Sequence, residues 1–276
     1  MGHRDEGKGG EEGFRARYWA LFGARWPPLE AALARPPDSR PFEAADGSAP
    51  YYMDSASIFA AQSLEFEPDA RVLDACAAPG GKSLVLASRL GAGGSLFANE
   101  LSAERRRRLR EVLDAHLPTQ MRSRVSVGGR DAAAMCRSFE SAFDAILLDA
   151  PCSSERHVLS DPAALAKWSP ARARFLAQRQ WSLLSAALIM LKEGGCLVYS
   201  TCSLSPEENE GVVERAAARY GSALSFEAPR YEGSGESLGS PGESVGRGLM
   251  ILPDKAGGAG PMYVCRMRKA RARQFG

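Results

Sequence analysis

Short apolar runs alternate with longer stretches of helical periodicity from about residue 70 onward, and this alternation constrains the fold more than any other feature of the sequence. A short apolar run suits a strand that is buried on both faces, and the stretch after it suits a helix that crosses back over the sheet. The pattern therefore predicts a doubly wound α/β fold with a mostly parallel sheet. At the last helix, Ser205 and Glu208 have the spacing of a capping box. The strands are predicted at residues 71–75, 95–98, 124–127, 143–149 and 196–199, and the longer helices at residues 82–90, 102–115, 170–191 and 206–219.

The C-terminal part of the chain departs from this alternation. Two apolar runs, at residues 248–252 and 262–267, follow each other with no helical stretch between them. We interpret them as an antiparallel pair at the edge of the sheet, which brings the predicted sheet to seven strands. Residues 232–248 are rich in Gly, Ser and Glu, and they are predicted to form a mobile loop.

The N-terminal region differs in composition from the rest of the chain. Residues 1–13 are rich in Gly and Glu and predict a disordered tail. Residues 14–54 combine aromatic residues with a Pro-rich stretch, which indicates a short helix followed by an extended arm. Residues 55–276 then form the α/β domain, which is predicted to begin with a helix at residues 55–65.

Charge and cysteine usage narrow the functional classes. The net charge of +2 is too small to indicate a nucleic-acid partner by itself, although arginines cluster between Arg105 and Arg110. No apolar run reaches the about 18 residues that a membrane-spanning helix requires, so we expect no membrane partner. The six cysteines show no CxxC spacing and the three histidines are scattered, so no metal site is expected. Free thiols suit a reducing compartment, and we expect a cytoplasmic protein.

A turn of small residues follows the first predicted strand. The strand ends near Asp74, and the turn leads into a predicted helix. Small residues let the backbone approach a nucleotide-like ligand at the carboxyl ends of the strands, and the helix N-terminus offers free N–H groups. The GxGxxG dinucleotide motif is absent, and a P-loop is excluded because Cys76 stands where that motif requires Gly. The turn consists of Cys76, Ala77, Ala78, Pro79, Gly80, Gly81 and Lys82.

Acidic residues follow the next two predicted strands. Glu100 lies about 20 residues beyond the turn, the distance at which an acid accepts hydrogen bonds from the ribose of a bound nucleotide. Asp131 follows the third predicted strand, and we expect its carboxylate to accept the amino group of an adenine. Both residues are therefore candidates for ligand binding.

Two cysteines lie just beyond adjacent strand ends. Cys152 follows a buried strand that ends at Asp149, and Cys202 follows the strand at residues 196–199. Free cysteines are usually buried in the core, but these two converge on the edge of the sheet where ligands bind. Two thiols without zinc-ligand spacing indicate covalent catalysis, and their positions leave open which one attacks. Core packing is the interpretation for the thiols of Cys76, Cys136, Cys196 and Cys265.

The motifs around these residues resemble one family. DACAAPGGK at residues 74–82, NELS at 99–102, DAPCSS at 149–154 and YSTCSLSPEENE at 199–210 occur in the order found in the Sun-type (Fmu) RNA cytosine-5 methyltransferases. The resemblance covers about residues 50–270, and the SSERH and GPMYVCRMRK segments are most similar to the mitochondrial ribosomal-RNA branch. It implies a Rossmann-like methyltransferase that uses S-adenosylmethionine to form 5-methylcytosine in RNA.

The resemblance also implies a substrate and leaves two alternatives. Ribosomal RNA is the expected substrate, and the same chemistry on transfer RNA is the first alternative. A non-catalytic RNA-binding ribosome-assembly protein is the second, although such a protein has no use for both Cys152 and Cys202. Many family members carry an RNA-binding domain upstream, where this chain has about 50 residues. We therefore expect a helper protein or a structured ribosomal substrate, and the sequence leaves the oligomeric state open.

The resemblance assigns roles that the residues alone leave open. It implies that Cys202 is the nucleophile and that Cys152 helps to remove the proton from carbon 5 and release the product. DNA cytosine-5 methyltransferases instead use the cysteine of a Pro-Cys pair, which here is Cys152. Lys82 and Asp149 are implied to lie beside the target base, and Arg105 to contact the cofactor carboxylate. The residues predicted to bind the cofactor are Cys76, Ala77, Ala78, Pro79, Gly80, Gly81, Lys82, Glu100, Arg105, Asp131 and Asp149.

Overall fold

The computed structural model describes residues 9–229 and 242–271. Its helices are α1 (Gly10–Phe22), α2 (Trp26–Leu33), α3 (Ser55–Gln62), α4 (Gly81–Ala87), α5 (Ala103–His116), α6 (Thr119–Arg122), α7 (Glu155–Ser160), α8 (Pro162–Ala166), α9 (Pro170–Met190) and α10 (Glu210–Tyr220). Its strands are β1 (Ser39–Phe42), β2 (Tyr51–Asp54), β3 (Arg71–Asp74), β4 (Ser95–Asn99), β5 (Val125–Gly128), β6 (Phe143–Asp149), β7 (Leu191–Thr201), β8 (Leu224–Glu227), β9 (Glu243–Val245), β10 (Gly248–Ile251) and β11 (Met262–Lys269).

A sheet of nine strands lies at the centre of the described structure. Its strands run in the order β5-β4-β3-β6-β7-β11-β10-β9, and β8 also pairs with β11. Strands β3 to β7 are parallel, whereas β11 is antiparallel to β7, β8 and β10. The predicted doubly wound, mostly parallel sheet with an antiparallel pair is therefore confirmed. All seven predicted strands are present, and β8 and β9 extend the sheet beyond them.

The parallel strands bring their carboxyl ends to one crevice. Strands β4 and β5 lie on one side of β3, and β6 and β7 lie on the other, so the winding direction of the chain reverses between β3 and β6. Open α/β sheets bind ligands outside the carboxyl ends of their strands at such a reversal. Asp74, Asn99, Asp149 and Thr201 end strands β3, β4, β6 and β7 and therefore border this crevice.

Both faces of the sheet are buried, which explains why its central strands are continuous apolar runs. Along β6, Ala145 and Leu147 belong to the core that includes helices α3 to α5. Ile146 and Leu148 point the other way, into the core that includes α1, α2, α9 and α10. Because β6 is packed from both sides, the position of its carboxyl end is fixed, and so is the start of the loop that follows it.

The N-terminal helix belongs to the core of the α/β domain. Phe14 and Tyr18 of α1 are buried, and the ring of Phe14 packs edge-on against Trp168 at a centroid distance of 5.4 Å. Helix α1 begins at Gly10, whose N–H donates to the Trp168 carbonyl at 2.8 Å. The prediction of disorder is therefore wrong for residues 10–13, because this tertiary contact fixes the start of the helix. Residues 1–8 lie outside the described residues.

The segment predicted as an extended arm contains regular structure. Pro27 and Pro28 lie in the first turn of α2, where the missing N–H of proline costs no helical hydrogen bond. They therefore lie within a second helix, in a stretch that the sequence analysis assigns to an extended arm. Strands β1 and β2 then form a separate antiparallel pair, with Phe42 opposite Tyr51. The interpretation of residues 14–54 as one helix and an arm is corrected accordingly.

Two further predictions differ at the C-terminal helix and loop. Helix α10 begins at Glu210, and Glu208 is fully buried instead of closing a capping box. The capping prediction is wrong because Glu208 bonds to Ser153 and Gln180, which come from distant segments. Much of the predicted loop at residues 232–248 lies outside the described residues, and β9 occupies part of the remainder. No helix in the described ranges is long and apolar enough to cross a lipid bilayer.

Candidate active site

The turn between β3 and α4 is held in one conformation by its neighbours. The N–H of Ala77 donates to the carbonyl of Asn99 at 2.8 Å, which ties the turn to the end of β4. Gly80 has a φ of +125°, and a Cβ atom there would lie 3.0 Å from Val112 Cγ1. Both the backbone and the space therefore require glycine at this position. The turn presents its backbone to the crevice, as the sequence predicts.

A hollow of about 440 Å³ lies beside the turn, outside the end of β4, and we call it the β4 hollow. Leu101, Ala132 and Pro151 give it apolar walls, and Glu100 lies at its rim. The Glu100 carboxylate accepts the N–H of Ser102 at 2.9 Å and is almost fully buried. An acid fixed at this strand end is placed to bind ribose hydroxyls.

Arg105 joins the turn to the rim of the β4 hollow. Its guanidinium donates to the carbonyl of Ala78 at 2.9 Å and lies 3.4 Å from the Glu100 carboxylate. The side chain also lines the hollow. The structure therefore places Arg105 between the turn and the β4 hollow, with two of its contacts made to other predicted residues.

Asp131 forms an ion pair with Arg179, which the sequence did not predict. Both of its carboxylate oxygens accept hydrogen bonds from Arg179, a contact that lowers the pKa of Asp131. Arg179 itself lines the β4 hollow, near Ala132. The structure thus places an ion pair where a free carboxylate was expected to accept an adenine amino group.

A smaller hollow of about 90 Å³ lies on the other side of the turn, next to Tyr51 and Met53 of β2, and we call it the β2 hollow. Asp74 forms part of its wall and is buried. One oxygen of Asp74 accepts the hydroxyl of Ser83 at 2.6 Å, and the other has no partner among the described residues. Burial raises the pKa of Asp74 to about 7. A buried carboxyl oxygen without a protein partner offers an acceptor to a polar ligand group or to a water molecule.

Lys82 and Asp149 form an ion pair at the wall of the β2 hollow. Lys82 Nζ lies 2.8 Å from Asp149 Oδ2 and donates to the hydroxyl of Ser57 at 3.2 Å. The other oxygen of Asp149 accepts the hydroxyl of Ser200 at 2.8 Å. Burial by itself lowers the pKa of Lys82, but the adjacent Asp149 carboxylate outweighs it, so that pKa is raised. Lys82 therefore carries a charge, and this charge also interacts favourably with a thiolate at Cys202.

The two cysteines predicted at strand ends are in contact. Their Sγ atoms are 3.0 Å apart. The hydrogen bond from Cys152, with a second one from Ser154, lowers the pKa of Cys202 against the opposing effect of burial. The same contact, together with burial, raises the pKa of Cys152 well above its usual value. The contact therefore favours a thiolate at Cys202 and a protonated thiol at Cys152.

The structure brings most of the predicted site residues together. Lys82, Asp149 and the turn border the β2 hollow, and Cys76 borders both hollows. His157, which the sequence places after Cys152, is exposed on α7. Within residues 9–229 and 242–271, no three His, Cys, Asp or Glu side chains are grouped as metal ligands would be.

Four residues of the site were not predicted from the sequence. Ser57 accepts a hydrogen bond from Lys82, and Arg179 donates one to Asp131. Ser57 and Arg179 both lie in segments without a recognisable motif. Glu155 and Glu208 lie buried beneath the two cysteines. Both occur inside motifs that mark the resemblance, SSERH and YSTCSLSPEENE, so the motifs were a usable signal for them.

Comparisons with known proteins identify relatives of this chain. The family model described as 16S rRNA methyltransferase RsmB/F matches residues 61–268. The ribosomal RNA small subunit methyltransferase F of Klebsiella pneumoniae (strain 342) is 38% identical over 204 residues, which are 73% of this chain and 41% of that protein. The 5-cytosine rRNA methyltransferase NSUN4 of Bos taurus is 34% identical over 226 residues, which are 79% of this chain and 59% of that protein. The resemblance predicted from the motifs is confirmed.

A solved structure shows the same fold. NSun6 from Pyrococcus horikoshii with SFG is 28% identical and has a TM-score of 0.68, covering 84% of this chain and 56% of that chain. This chain therefore spans only part of its relatives, and it covers 41% to 59% of the two curated ones. The residues that the family model matches contain the turn, both strand-end cysteines and every residue around the β4 hollow, whereas Tyr51, Met53 and Ser57 of the β2 hollow precede them.

Proposed function

Because the chain belongs to the RsmB/F family of 16S rRNA methyltransferases, we propose that it transfers a methyl group from S-adenosylmethionine to carbon 5 of a cytosine in ribosomal RNA. One observation carries this proposal, namely the contact between Cys152 and Cys202 beside the Lys82–Asp149 ion pair. Carbon 5 of cytosine is a poor nucleophile because the aromatic ring delocalises its electrons. A thiolate that adds to carbon 6 removes this obstacle, and the site holds a thiol whose pKa is lowered.

S-adenosylmethionine fits the residues around the turn. The apolar walls formed by Leu101 and Ala132 suit an adenine ring, and Glu100 would hold the ribose. The unpartnered oxygen of Asp74 would accept a hydrogen bond from the ammonium group of the methionine part. NSun6 was solved with SFG, an analogue of this cofactor, which supports the same choice. When bound, S-adenosylmethionine supplies an electrophilic methyl group.

Cys202 is the proposed nucleophile. Its thiolate would form a bond to carbon 6. The electron pair of the C5–C6 double bond would shift to C4–C5, and that of the C4–N3 double bond would move onto ring nitrogen 3. The hydrogen bond from Cys152 and the charge of Lys82 both favour the thiolate before the attack. The target base must leave any stack to reach this buried position.

Asp149 and Lys82 are proposed to stabilise the charge that builds up on the ring. A carboxyl group can share a proton with ring nitrogen 3, and Lys82 at 2.8 Å can supply that proton. A hydrogen bond to Ser57 fixes Lys82, and a hydrogen bond from Ser200 fixes Asp149. The pair therefore offers a prearranged donor at the place where negative charge develops.

Cys152 is the proposed acceptor of the carbon 5 proton. After methylation this proton must leave so that the bond between carbon 6 and Cys202 can break and the thiolate can depart. Cys152 can accept a proton only as a thiolate, so its own proton would first pass to a water molecule. Once Cys202 is bonded to carbon it no longer carries a charge, so a thiolate at Cys152 is no longer opposed by an anionic neighbour.

Ribosomal RNA is the proposed partner because the matching family model and both curated relatives carry that substrate in their descriptions. Transfer RNA remains the alternative substrate for the same chemistry. The six free cysteines, two of which must stay reduced to react, support a reducing compartment such as the cytoplasm.

Bisulfite sequencing of total RNA from cells with and without the gene tests the proposal. We expect one cytosine signal in ribosomal RNA to disappear with the gene, and to return with the wild-type chain but not with Cys202→Ala. A lost signal in transfer RNA would select the alternative substrate. Unchanged signals in all RNA, with the chain expressed and folded, would overturn the proposed activity.

A further inference from the structure

Two carboxyl groups lie buried beneath the cysteine pair without a cation. Glu155 and Glu208 are both 0% exposed. Among the described residues, neither forms an ion pair with a lysine or an arginine, and their contacts are to hydroxyl, amide and backbone N–H groups. Burying an ionised carboxylate without a cation is costly unless hydrogen bonds compensate for it. The hydrogen bonds of these two residues therefore determine their charge.

The serines that follow the two cysteines connect these carboxyl groups. Ser153 Oγ and Ser203 Oγ are 2.9 Å apart. Ser153 Oγ lies 2.5 Å from Glu155 Oε1, and Ser203 Oγ lies 3.0 Å from Glu208 Oε1. The chain of contacts thus runs from Glu208 through Ser203 and Ser153 to Glu155. It joins the loop after β6 to the loop after β7, and these loops carry Cys152 and Cys202.

The number of protons in this chain is set by its geometry. Three close oxygen–oxygen contacts link the four side chains, and each contact needs one proton. The hydroxyls of Ser153 and Ser203 supply only two. A longer contact of 3.4 Å, from Ser203 to Glu155, would use one of the same two protons. One of the two carboxyl groups must therefore supply the third proton.

Glu155 is not the group that holds this proton. Its Oε1 accepts the hydroxyls of Tyr18 at 2.6 Å and Ser153 at 2.5 Å, and its Oε2 accepts the N–H of Leu204 at 2.7 Å. Whichever way the Ser153 hydroxyl turns, each oxygen of Glu155 already accepts a hydrogen bond from outside the chain, Oε1 from Tyr18 and Oε2 from Leu204. Three donors directed at one carboxyl group are the surroundings of an ionised carboxylate.

Glu208 has one oxygen free for a proton. Its Oε2 accepts the N–H of Ser153 at 3.0 Å and the side-chain amide of Gln180 at 2.8 Å. Its Oε1 faces only the hydroxyl of Ser203, which also accepts the N–H of Ser205 at 2.9 Å. A proton on Oε1 gives every oxygen in the chain a partner. Burial also raises the pKa of Glu208, and the nearby charge of Glu155 adds to this rise.

We propose that a protonated Glu208 donates to Ser203, which donates to Ser153, which donates to an ionised Glu155, and that this directional chain holds Cys152 and Cys202 in contact. Glu208 and Glu155 are thus positioning residues, because each acts through the serine next to a cysteine. The expected effect on catalysis rests on the proposed methyl transfer. The protonation of Glu208 and the contact between Cys152 and Cys202 do not depend on it.

The two carboxyl groups respond oppositely to replacement by glutamine, and this asymmetry is the test. In Glu208→Gln, the side-chain NH₂ group replaces the protonated oxygen and still donates to Ser203, so the chain survives. In Glu155→Gln, an NH₂ group must face a donor. We expect Glu208→Ala and Glu155→Gln to lower kcat by roughly tenfold or more, with KM for RNA and cofactor little changed. Glu208→Gln should restore kcat to within about threefold of wild type.

Two further measurements do not depend on methyl transfer. The infrared spectrum of the wild type minus that of Glu208→Gln should contain a carboxylic acid carbonyl band that shifts on deuteration. Alkylation of Cys202 at neutral pH, followed by peptide mass spectrometry, should slow in Glu155→Gln and Glu208→Ala but not in Glu208→Gln. If the carboxylic acid band and the alkylation rates are as expected but the wild type transfers no methyl group, the proposed function is wrong. The proposed hydrogen-bonded chain from Glu208 to Glu155 is then still supported.

The proposal is overturned by several outcomes. One is a folded Glu208→Gln that is as impaired as Glu208→Ala, and another is a Glu155→Gln that keeps full activity. A difference spectrum without the carboxylic acid band also excludes it. If Glu155→Gln does not fold, Ser203→Ala replaces it, because this variant removes the middle of the chain and leaves both carboxyl groups. Ser203→Ala should then slow Cys202 alkylation, and an unchanged rate would equally exclude the chain.

Discussion

The thiols of Cys152 and Cys202 lie 3.0 Å apart, although the two residues are 50 positions apart in the chain. Each follows the carboxyl end of a strand, and these strands, β6 and β7, are paired in parallel. Their contact lowers the pKa of Cys202 and raises that of Cys152. Two chemically identical groups therefore differ in charge, a thiolate at Cys202 and a thiol at Cys152, as the proposed roles of nucleophile and proton acceptor require.

Replacing each cysteine by alanine should separate these roles. Cys202→Ala removes the nucleophile, so methyl transfer should fall by at least roughly a thousandfold while cofactor binding is unchanged. Cys152→Ala leaves the attack possible but impairs product release, so a covalent enzyme–RNA adduct should accumulate as a shifted band that resists denaturation. Gel electrophoresis of both variants with RNA and cofactor measures this. An adduct formed by Cys202→Ala would reverse the assignment.

Removing Cys152 should also raise the pKa of Cys202, because the strongest hydrogen bond to its thiolate is lost. The rate of Cys202 alkylation by iodoacetamide, measured against pH, should have its midpoint at a higher pH in Cys152→Ala than in wild type. Ser154→Ala should shift the midpoint in the same direction by a smaller amount, since the hydrogen bond of Ser154 is the weaker contribution. A midpoint that moves to lower pH in Cys152→Ala would contradict the direction of the hydrogen bond.

The ion pair at the β4 hollow should contribute to cofactor affinity. Arg179 lines the hollow and is held by Asp131. We expect Arg179→Ala and Asp131→Ala each to weaken cofactor binding roughly ten- to hundredfold, the range that loss of one hydrogen bond to a charged group produces. Isothermal titration calorimetry measures the dissociation constant. Arg174→Ala, an exposed arginine on the same helix, is the control. Affinities that match the control in both variants would remove the pair from the cofactor site.

The strand ends of the site could be predicted from the sequence because their signals are local. Asp74, Asp149 and Cys202 each lie at or just beyond an apolar run that has the length of a buried strand. The fold class then follows from the alternation of these runs with helices. The proximity of Cys152 and Cys202 required only that their strands be neighbours in the sheet.

The remaining features depend on contacts between distant segments, which local patterns do not contain. Glu208 has the spacing of a capping residue, but its bonds to Ser153 and Gln180 turn it into the core. Tyr18 reaches Glu155 across 137 positions of the chain. Propensity is a weak prior when tertiary contacts of this kind compete with it. Likewise, only the family resemblance indicates which of the two cysteines is the nucleophile. The hydrogen bond between the thiols supports that assignment, because it lowers the pKa of Cys202 and raises that of Cys152.

Helix α1 should be essential for the stability of the α/β domain. Phe14 is 0% exposed, and Phe14→Ala should lower the free energy of unfolding by about 3–5 kcal/mol, the usual cost of removing a buried aromatic ring. Trp19 lies on the same helix but is 53% exposed, so Trp19→Ala should change that free energy by no more than about 0.5 kcal/mol. Urea denaturation followed by circular dichroism measures both. Equal effects of the two substitutions would mean that α1 does not pack into the core.

The carboxyl group of Asp74 should make stability depend on pH. Burial raises its pKa from 3.8 to about 7 in the folded chain. The folded state therefore favours the protonated form, so the stabilisation is fully present below pH 3.8 and is lost as the pH rises through about 7. Asp74→Asn stays neutral at every pH and keeps an acceptor for Ser83.

The free energy of unfolding of Asp74→Asn, minus that of wild type, should therefore grow between about pH 4 and pH 7 and then level off. A shift of this size corresponds to at most about 4 kcal/mol. Urea titrations of both proteins at a series of pH values measure the difference. Ser83→Ala removes the hydrogen bond that opposes the rise in the pKa of Asp74, so the same comparison made in a Ser83→Ala background should level off at a higher pH. A difference that is constant over this range would show that Asp74 is ionised in the folded chain, and that the charge of Lys82 outweighs the cost of burial.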